Sequence, residues 1–299
     1  MKLVSAIWRR LPVVLRVILT GLLVLFSGAT VWTAMVIANL KLTSSVPWAA
    51  GTLALFLWIY WRYLDGAGWP RNTAEARHRN FRVRPLSGRV WAWALTAGAS
   101  ALISAVALQG VLERLVRISP FPLADLSRYP FFTVLCILLA AAAEAGIVEE
   151  AAFRGYMQAP IERRYGPRVA IAVVAVLFAC VHLANGSHEL LWLPVYFLVG
   201  VILGVLAYLT NSVLPGMMLH AALDIFRFLA AWRHGSAPQK QLIWQSGPDA
   251  SFWISVGVAV ILAAVAIGAY RKLAAVTHPE SQFPPGLAGQ KDLHSAGGM

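Results

Sequence analysis

The chain has 299 residues, of which 59% are hydrophobic and only 13% charged, and its mean hydropathy is +0.67. Soluble domains carry about 25% charged residues, so this composition excludes an ordinary soluble globule and describes a polytopic membrane protein. The formal net charge of +12 would suit nucleic acid, but the basic residues fall mostly at the edges of apolar runs, as the positive-inside rule requires, and no nucleic-acid partner is expected.

A membrane-crossing helix needs about 20 predominantly apolar residues. Eight stretches qualify, which predicts an all-α, polytopic bundle of about eight transmembrane helices. The first covers residues 11–40, with Arg16 placed to snorkel at its start. Its apolar run is too long for a signal-peptide core, so it reads as an uncleaved helix. The second covers residues 46–63 and leads into a basic loop with Arg62, Arg71, Arg77, Arg79, Arg82, Arg84 and Arg89 against Asp65 and Glu75. The third is 90–112, followed by a mixed loop with Glu113, Arg114, Arg117, Asp125 and Arg128. The fourth is 130–160, and Glu162, Arg163, Arg164 and Arg168 make the turn after it. The fifth is 169–184. Asn185-Gly186-Ser187 is turn chemistry, and His188 and Glu189 beside it are expected to be solvated. The sixth is 190–209, broken by Thr210-Asn211-Ser212, and the seventh is 213–231. A polar loop with Gly235, Pro238 and Lys240 leads to the eighth, 252–270, and the polar tail from Arg271 is expected to be disordered.

The chain thus divides into N-terminal helices with a basic loop (1–129), a core (130–231), a last loop and helix (232–270) and a tail (271–299). Eight crossings put the N-terminus, the 62–89 loop, the 162–168 turn and Arg271-Lys272 on one side. Arginine bias makes that side the cytoplasm, so both termini are expected inside, in a bacterial inner membrane. Cys136 and Cys180 lie in apolar spans and read as small packing residues.

Three spans carry polar groups that a bilayer-crossing helix normally lacks. Charge at the bilayer centre costs a few kcal/mol, so it usually faces the protein interior and marks function. The fourth span holds Glu144, Glu149 and Glu150; the fifth holds His182, four residues after Phe178; the seventh holds His220 and Asp224. Glu149 lies 14 residues before Arg163, and His182 lies 14 after Arg168. Both therefore sit about 21 Å from the same basic turn, and His220 about 12 Å beyond Ser212, at 1.5 Å per residue. Helix neighbours point about 100° apart, so Glu149 and Glu150 cannot share one role. Glu150 and Arg154, four apart with the acid first, suit an ion pair, which leaves Glu149 without a local partner. A carboxylate in an apolar interior suits general-base work near neutral pH. His220 and Asp224 share one face and could orient water, hold an oxyanion or bind metal. The bland readings are a structural charge cluster at 149–154, a merely hydrogen-bonded His182, and Asp224 paired with Arg227. Glu144 has no spacing that ties it to a partner.

EEAAFR fits Glu-Glu-x-x-x-Arg, FACVH fits Phe-x-x-x-His, and HAALD fits His-x-x-x-Asn/Asp, in that order on successive apolar helices. Together they resemble the three motifs of the CAAX protease and bacteriocin-processing (CPBP, Abi) family, whose best known branch is the Ras-converting prenyl endopeptidase. The resemblance covers about 130–231. It implies an intramembrane endopeptidase acting on a membrane-associated or lipid-modified peptide. Glu149 and His182 would activate water, Glu150 and Arg154 would position the helix and base, and His220 and Asp224 would steady the oxyanion. An ionised Asp224 would repel that oxyanion unless protonated, paired with Arg227 or bound to metal. The family embraces metal-dependent and metal-independent descriptions. Glu149, His182, His220 and Asp224 are zinc ligands of the right types, but no HExxH spacing is present, so no cofactor is expected to be required. Two other readings stand beside the protease: a non-catalytic scaffold or bacteriocin-immunity protein, and a proton-coupled transporter, since intramembrane acids also mark proton paths.

Overall fold

The structure is a computed structural model and describes residues 10–118, 125–234 and 240–277. Its elements are helical throughout these residues. The order is α1 (Val13–Leu42), α2 (Trp48–Leu64), α3 (Ala74–Phe81), α4 (Gly88–Leu115), α5 (Phe131–Glu150), a π-helical segment (Ala151–Gln158), α6 (Ala159–Tyr165), α7 (Pro167–Val181), α8 (Leu193–Thr210), α9 (Leu214–His234), α10 (Ile243–Ser246) and α11 (Ala250–Thr277). Seven stretches among the described residues are long and apolar enough to cross a bilayer: α1, α4, α5 through α6, α7, α8, α9 and α11.

The one expected crossing not among these seven is the second, 46–63, which is α2 and has only 17 residues. At 1.5 Å per residue it is about 26 Å long, slightly short of a bilayer core. It nevertheless runs beside α1 for most of its length. Asn39 of α1 takes the Ala49 N–H at 2.9 Å, and near the other end Tyr60 donates its hydroxyl to the Val24 carbonyl at 2.7 Å.

The helix ends gather into two sets. At one end the basic loop meets the α8–α9 turn and α6. The Val213 N–H bonds the Arg82 carbonyl, Arg82 pairs with Glu162 at 2.9 Å, and Arg163 donates to Asn80 at 2.6 Å. At the other end Arg114 donates to Asp249 at 2.8 Å and to the Gln241 carbonyl at 2.6 Å, and Lys240 pairs with Glu113 at 2.7 Å. At this second end Arg114 and Lys240 are thus each paired with an acid.

Three boundaries differ from the sequence reading. The 130–160 span does not end at Pro160 but runs on to Tyr165, because Pro160 falls at the start of α6, where its missing N–H matters least. The seventh and eighth helices continue to His234 and Thr277, so Arg271 to Thr277 are helical and not tail. The disorder expected of the remaining tail lies outside the described residues, as does the extreme N-terminus. The basic loop is itself structured. Phe81 of α3 is fully buried edge-on against Trp61, with ring centroids 4.9 Å apart. Arg77 is buried against the Gly66, Ala67 and Pro70 carbonyls, and burial pulls the Arg82 guanidinium down from its ordinary range while Glu162 opposes that.

α5 is central. It packs against α9, α1 and α2. Gly146 sets the α5–α9 approach: a Cβ there would lie 2.8 Å from the Met217 carbonyl and 2.9 Å from the Ala221 side chain. Such close approach through small residues is how helices pack where lipid removes the hydrophobic drive between them.

Candidate active site

The site begins at the end of α5. Glu149 and Glu150 point apart, as successive helix positions must. The Glu149 side chain is 23% exposed and opens into a cavity, whereas the Glu150 side chain is 0% exposed and lies behind it. Directly after Glu150 the helix widens into the π-helical turn, a feature often found at functional sites. Arg154, in that turn and fully buried, donates Nη1 to Glu150 Oε1 at 2.8 Å and Nη2 to the Gly200 carbonyl at 3.3 Å. Its guanidinium also lies 4.6 Å from the Phe178 ring centroid.

Glu150 holds a second partner that the sequence did not reveal. His220 of α9 reaches its Oε1 through Nδ1 at 2.9 Å. Room for this arrangement comes from Gly216, where a Cβ would stand 2.8 Å from Glu150 Oε2. His220 Nε2 then faces the cavity, 3.5 Å from Asp224 Oδ2 and 3.9 Å from Glu149 Oε2. Asp224 thus stands beside the imidazole of its own helix, which can offset its charge as well as Arg227 could.

His182 enters from α7. The α-helix ends at Val181, and His182 opens a 3₁₀ segment that carries the expected 169–184 stretch to its end. Its Nδ1 is 2.7 Å from the Phe178 carbonyl. A carbonyl only accepts, so Nδ1 carries the proton and Nε2 is left as the variable nitrogen. The ring is held on one face by Tyr196 of α8, stacked at 3.8 Å and 18°, and at its edge by Phe178 at 5.0 Å.

Glu149, His182, His220 and Asp224 therefore line one cavity of about 170 Å³, closed by apolar Leu223 and Phe228. Glu150 and Arg154 do not line it and act from behind. Glu144 is buried but also stays outside the cavity lining. Glu189 is not solvated as expected: it is 1% exposed and accepts the Tyr196 hydroxyl at 2.8 Å. Tyr196 is the lining residue that sequence reasoning missed. Its only signal was a hydroxyl-bearing aromatic four residues before Gly200 in an apolar span, since a buried tyrosine hydroxyl needs a partner.

A zinc site needs three or more donors about 2 Å from one point. The His220 Nδ1–Glu150 bond leaves Nε2 as the nitrogen a metal would take, as carboxylate-held histidines do, and among the described residues no group of three His, Cys, Asp or Glu side chains is gathered closely enough to hold one.

Residues 130–226 match the family model described as type II CAAX prenyl endopeptidase Rce1-like. The matched segment is roughly a third of the chain, contains all three motifs, and agrees with the family that they resemble. No curated protein and no solved structure matches the chain. The match and the apolar helices together describe an integral, multi-pass membrane protein with a protease-family segment at its centre.

Proposed function

We propose that the chain is an intramembrane endopeptidase of CAAX-protease type, in which Glu149 activates water against a peptide carbonyl without a metal. The observation that carries this reading is the convergence of Glu149, His182 and His220 from three helices on one cavity. Glu149 Oε2 is buried without a hydrogen-bond partner, and so is free to take a proton from water. The water oxygen bonds the carbonyl carbon as its proton passes to Glu149. The oxyanion that forms is met by His220 Nε2, whose charge is balanced through Nδ1 by Glu150. Arg154 in turn holds Glu150 in place. Asp224 acts through His220, steadying an imidazolium, and does not contact the oxyanion. His182, with Nδ1 fixed, offers Nε2 to orient the water. When the C–N bond breaks, the proton held by Glu149 goes to the leaving amine.

The apolar walls suit a substrate presented from the bilayer, a membrane-associated or lipid-modified peptide. The cavity admits the scissile bond and water but not a lipid tail, which would lie between helices and lipid. The test is purified chain in liposomes with prenylated and unprenylated peptides, read by mass spectrometry with and without chelator. Release of a C-terminal fragment that persists in chelator is expected. Peptides left intact by folded protein would overturn the activity, and loss of cleavage restored by added zinc would overturn the metal-free chemistry.

A further inference from the structure

A second cavity, of about 390 Å³, lies at the basic end between α1, α3 and the π-helical turn. Its polar lining is Arg16, Thr20, Asn80 and Tyr156, whose hydroxyl donates to the Leu64 carbonyl at 2.9 Å. Arg16 pairs with no carboxylate among the described residues, and its Nε is buried without a hydrogen-bond partner. Asn80 accepts from Arg163 Nη2 at 2.6 Å, which turns its amide oxygen away and leaves its NH₂ as a donor. The Thr20 hydroxyl donates to the Arg16 carbonyl at 2.8 Å. No acid lines this cavity. It presents the Arg16 cation and the Asn80 amide donor beside apolar Val13, Val17 and Pro160.

An occupant must therefore be anionic at one end and apolar at the other. The place in the fold narrows it further. Arg16 belongs to the first turns of a membrane-crossing helix, at the end that carries the arginine-rich loop. Leu15, Leu19 and Leu23 of the same helix face outward, at 42%, 40% and 70% exposure, and provide a track for acyl chains. Basic pockets between membrane helices recognise anionic headgroups in this way. We propose that this cavity binds one anionic phospholipid, its phosphate on Arg16 and Asn80 and its chains along α1.

The test is native mass spectrometry of the full chain after equilibration with equal phosphatidylglycerol and phosphatidylcholine. Preferential retention of one phosphatidylglycerol is expected. Arg16→Ala should lower it at least fivefold, and Arg16→Lys should keep most of it. Val17→Phe keeps the charge but fills the apolar half, and should lose the lipid too. Arg89→Ala, which removes an exposed arginine at the same end, should change nothing. Equal retention of both lipids, wild-type retention in Arg16→Ala or Val17→Phe, or an equal loss in Arg89→Ala would overturn the proposal. So would displacement of the lipid by equimolar glycerol phosphate, which would make the cavity a site for free anions.

Discussion

Glu149 and Glu150 are one position apart and have opposite surroundings. Glu150 is enclosed, with Arg154 and His220 both bonded to its Oε1, while Glu149 opens into the cavity. Removing one partner of a buried ion pair costs about 3–5 kcal/mol because the other charge is left uncompensated. Arg154→Met should therefore lower thermal stability as well as activity, whereas Glu149→Gln should leave the melting temperature near wild type. Parallel melting curves of the two variants check this. Tyr196 is a positioning residue in this scheme, acting through His182. Aromatic pairs contribute about 0.5–1.5 kcal/mol, so Tyr196→Ala should lower kcat roughly 3- to 10-fold, while Tyr196→Phe keeps the ring and most of the rate. Equal losses in the two variants would assign the effect to the Glu189 hydrogen bond and not to the stack.

At the scale of elements, α5 and α9 bring the acids to the histidine only because Gly146 lets them approach. Gly146→Val inserts atoms where a Cβ alone meets the Met217 carbonyl at 2.8 Å. Overpacking of this kind costs about 1–3 kcal/mol, and separating the helices should abolish cleavage while far-ultraviolet circular dichroism still reports a helical protein. At the other end, the α10 loop is tied to α4 through Arg114 and Asp249. The Ser251 hydroxyl, then the Phe252 N–H, then Arg114 hold the Asp249 carboxyl well below the usual carboxylate range. A depressed carboxyl contributes above its unfolded value, near pH 4, and is lost only as pH falls through the lower folded value. Protection factors in residues 243–252, corrected for the intrinsic pH dependence of amide exchange, should thus be flat from neutral pH to about pH 4 and fall only in stronger acid; a fall already at pH 6 would contradict the lock.

For the whole molecule, the helices were legible because each needs a long apolar run, and the acids were legible because such runs exclude charge. The Glu150–Arg154 pair followed from four-residue spacing. What spacing could not give was contact between distant helices. His220 bonds Glu150 across 70 positions, and Tyr196 stacks on His182 from another span. The π-helical turn was hidden for a related reason: Arg154 and Gln158 within it reach the Gly200 and Gly204 carbonyls of another span, contacts that local spacing does not show. The alternating ends give a topology that can be tested directly. With Cys136 and Cys180 replaced by alanine, Arg89→Cys should react with an impermeant maleimide only from the cytoplasmic side and Ala250→Cys only from outside. Labelling of both from one side would contradict eight crossings.

In the proposed reaction three helices act on one water. The most direct measurement is single-turnover cleavage by Glu149→Gln, His182→Ala and the double variant, each shown to be folded. Residues that act as a unit are strongly non-additive. The predicted result is a loss of about 10²–10⁴-fold from Glu149→Gln, with the double variant no worse than this single one. Losses that multiply in the double variant, or full cleavage by Glu149→Gln, would contradict it.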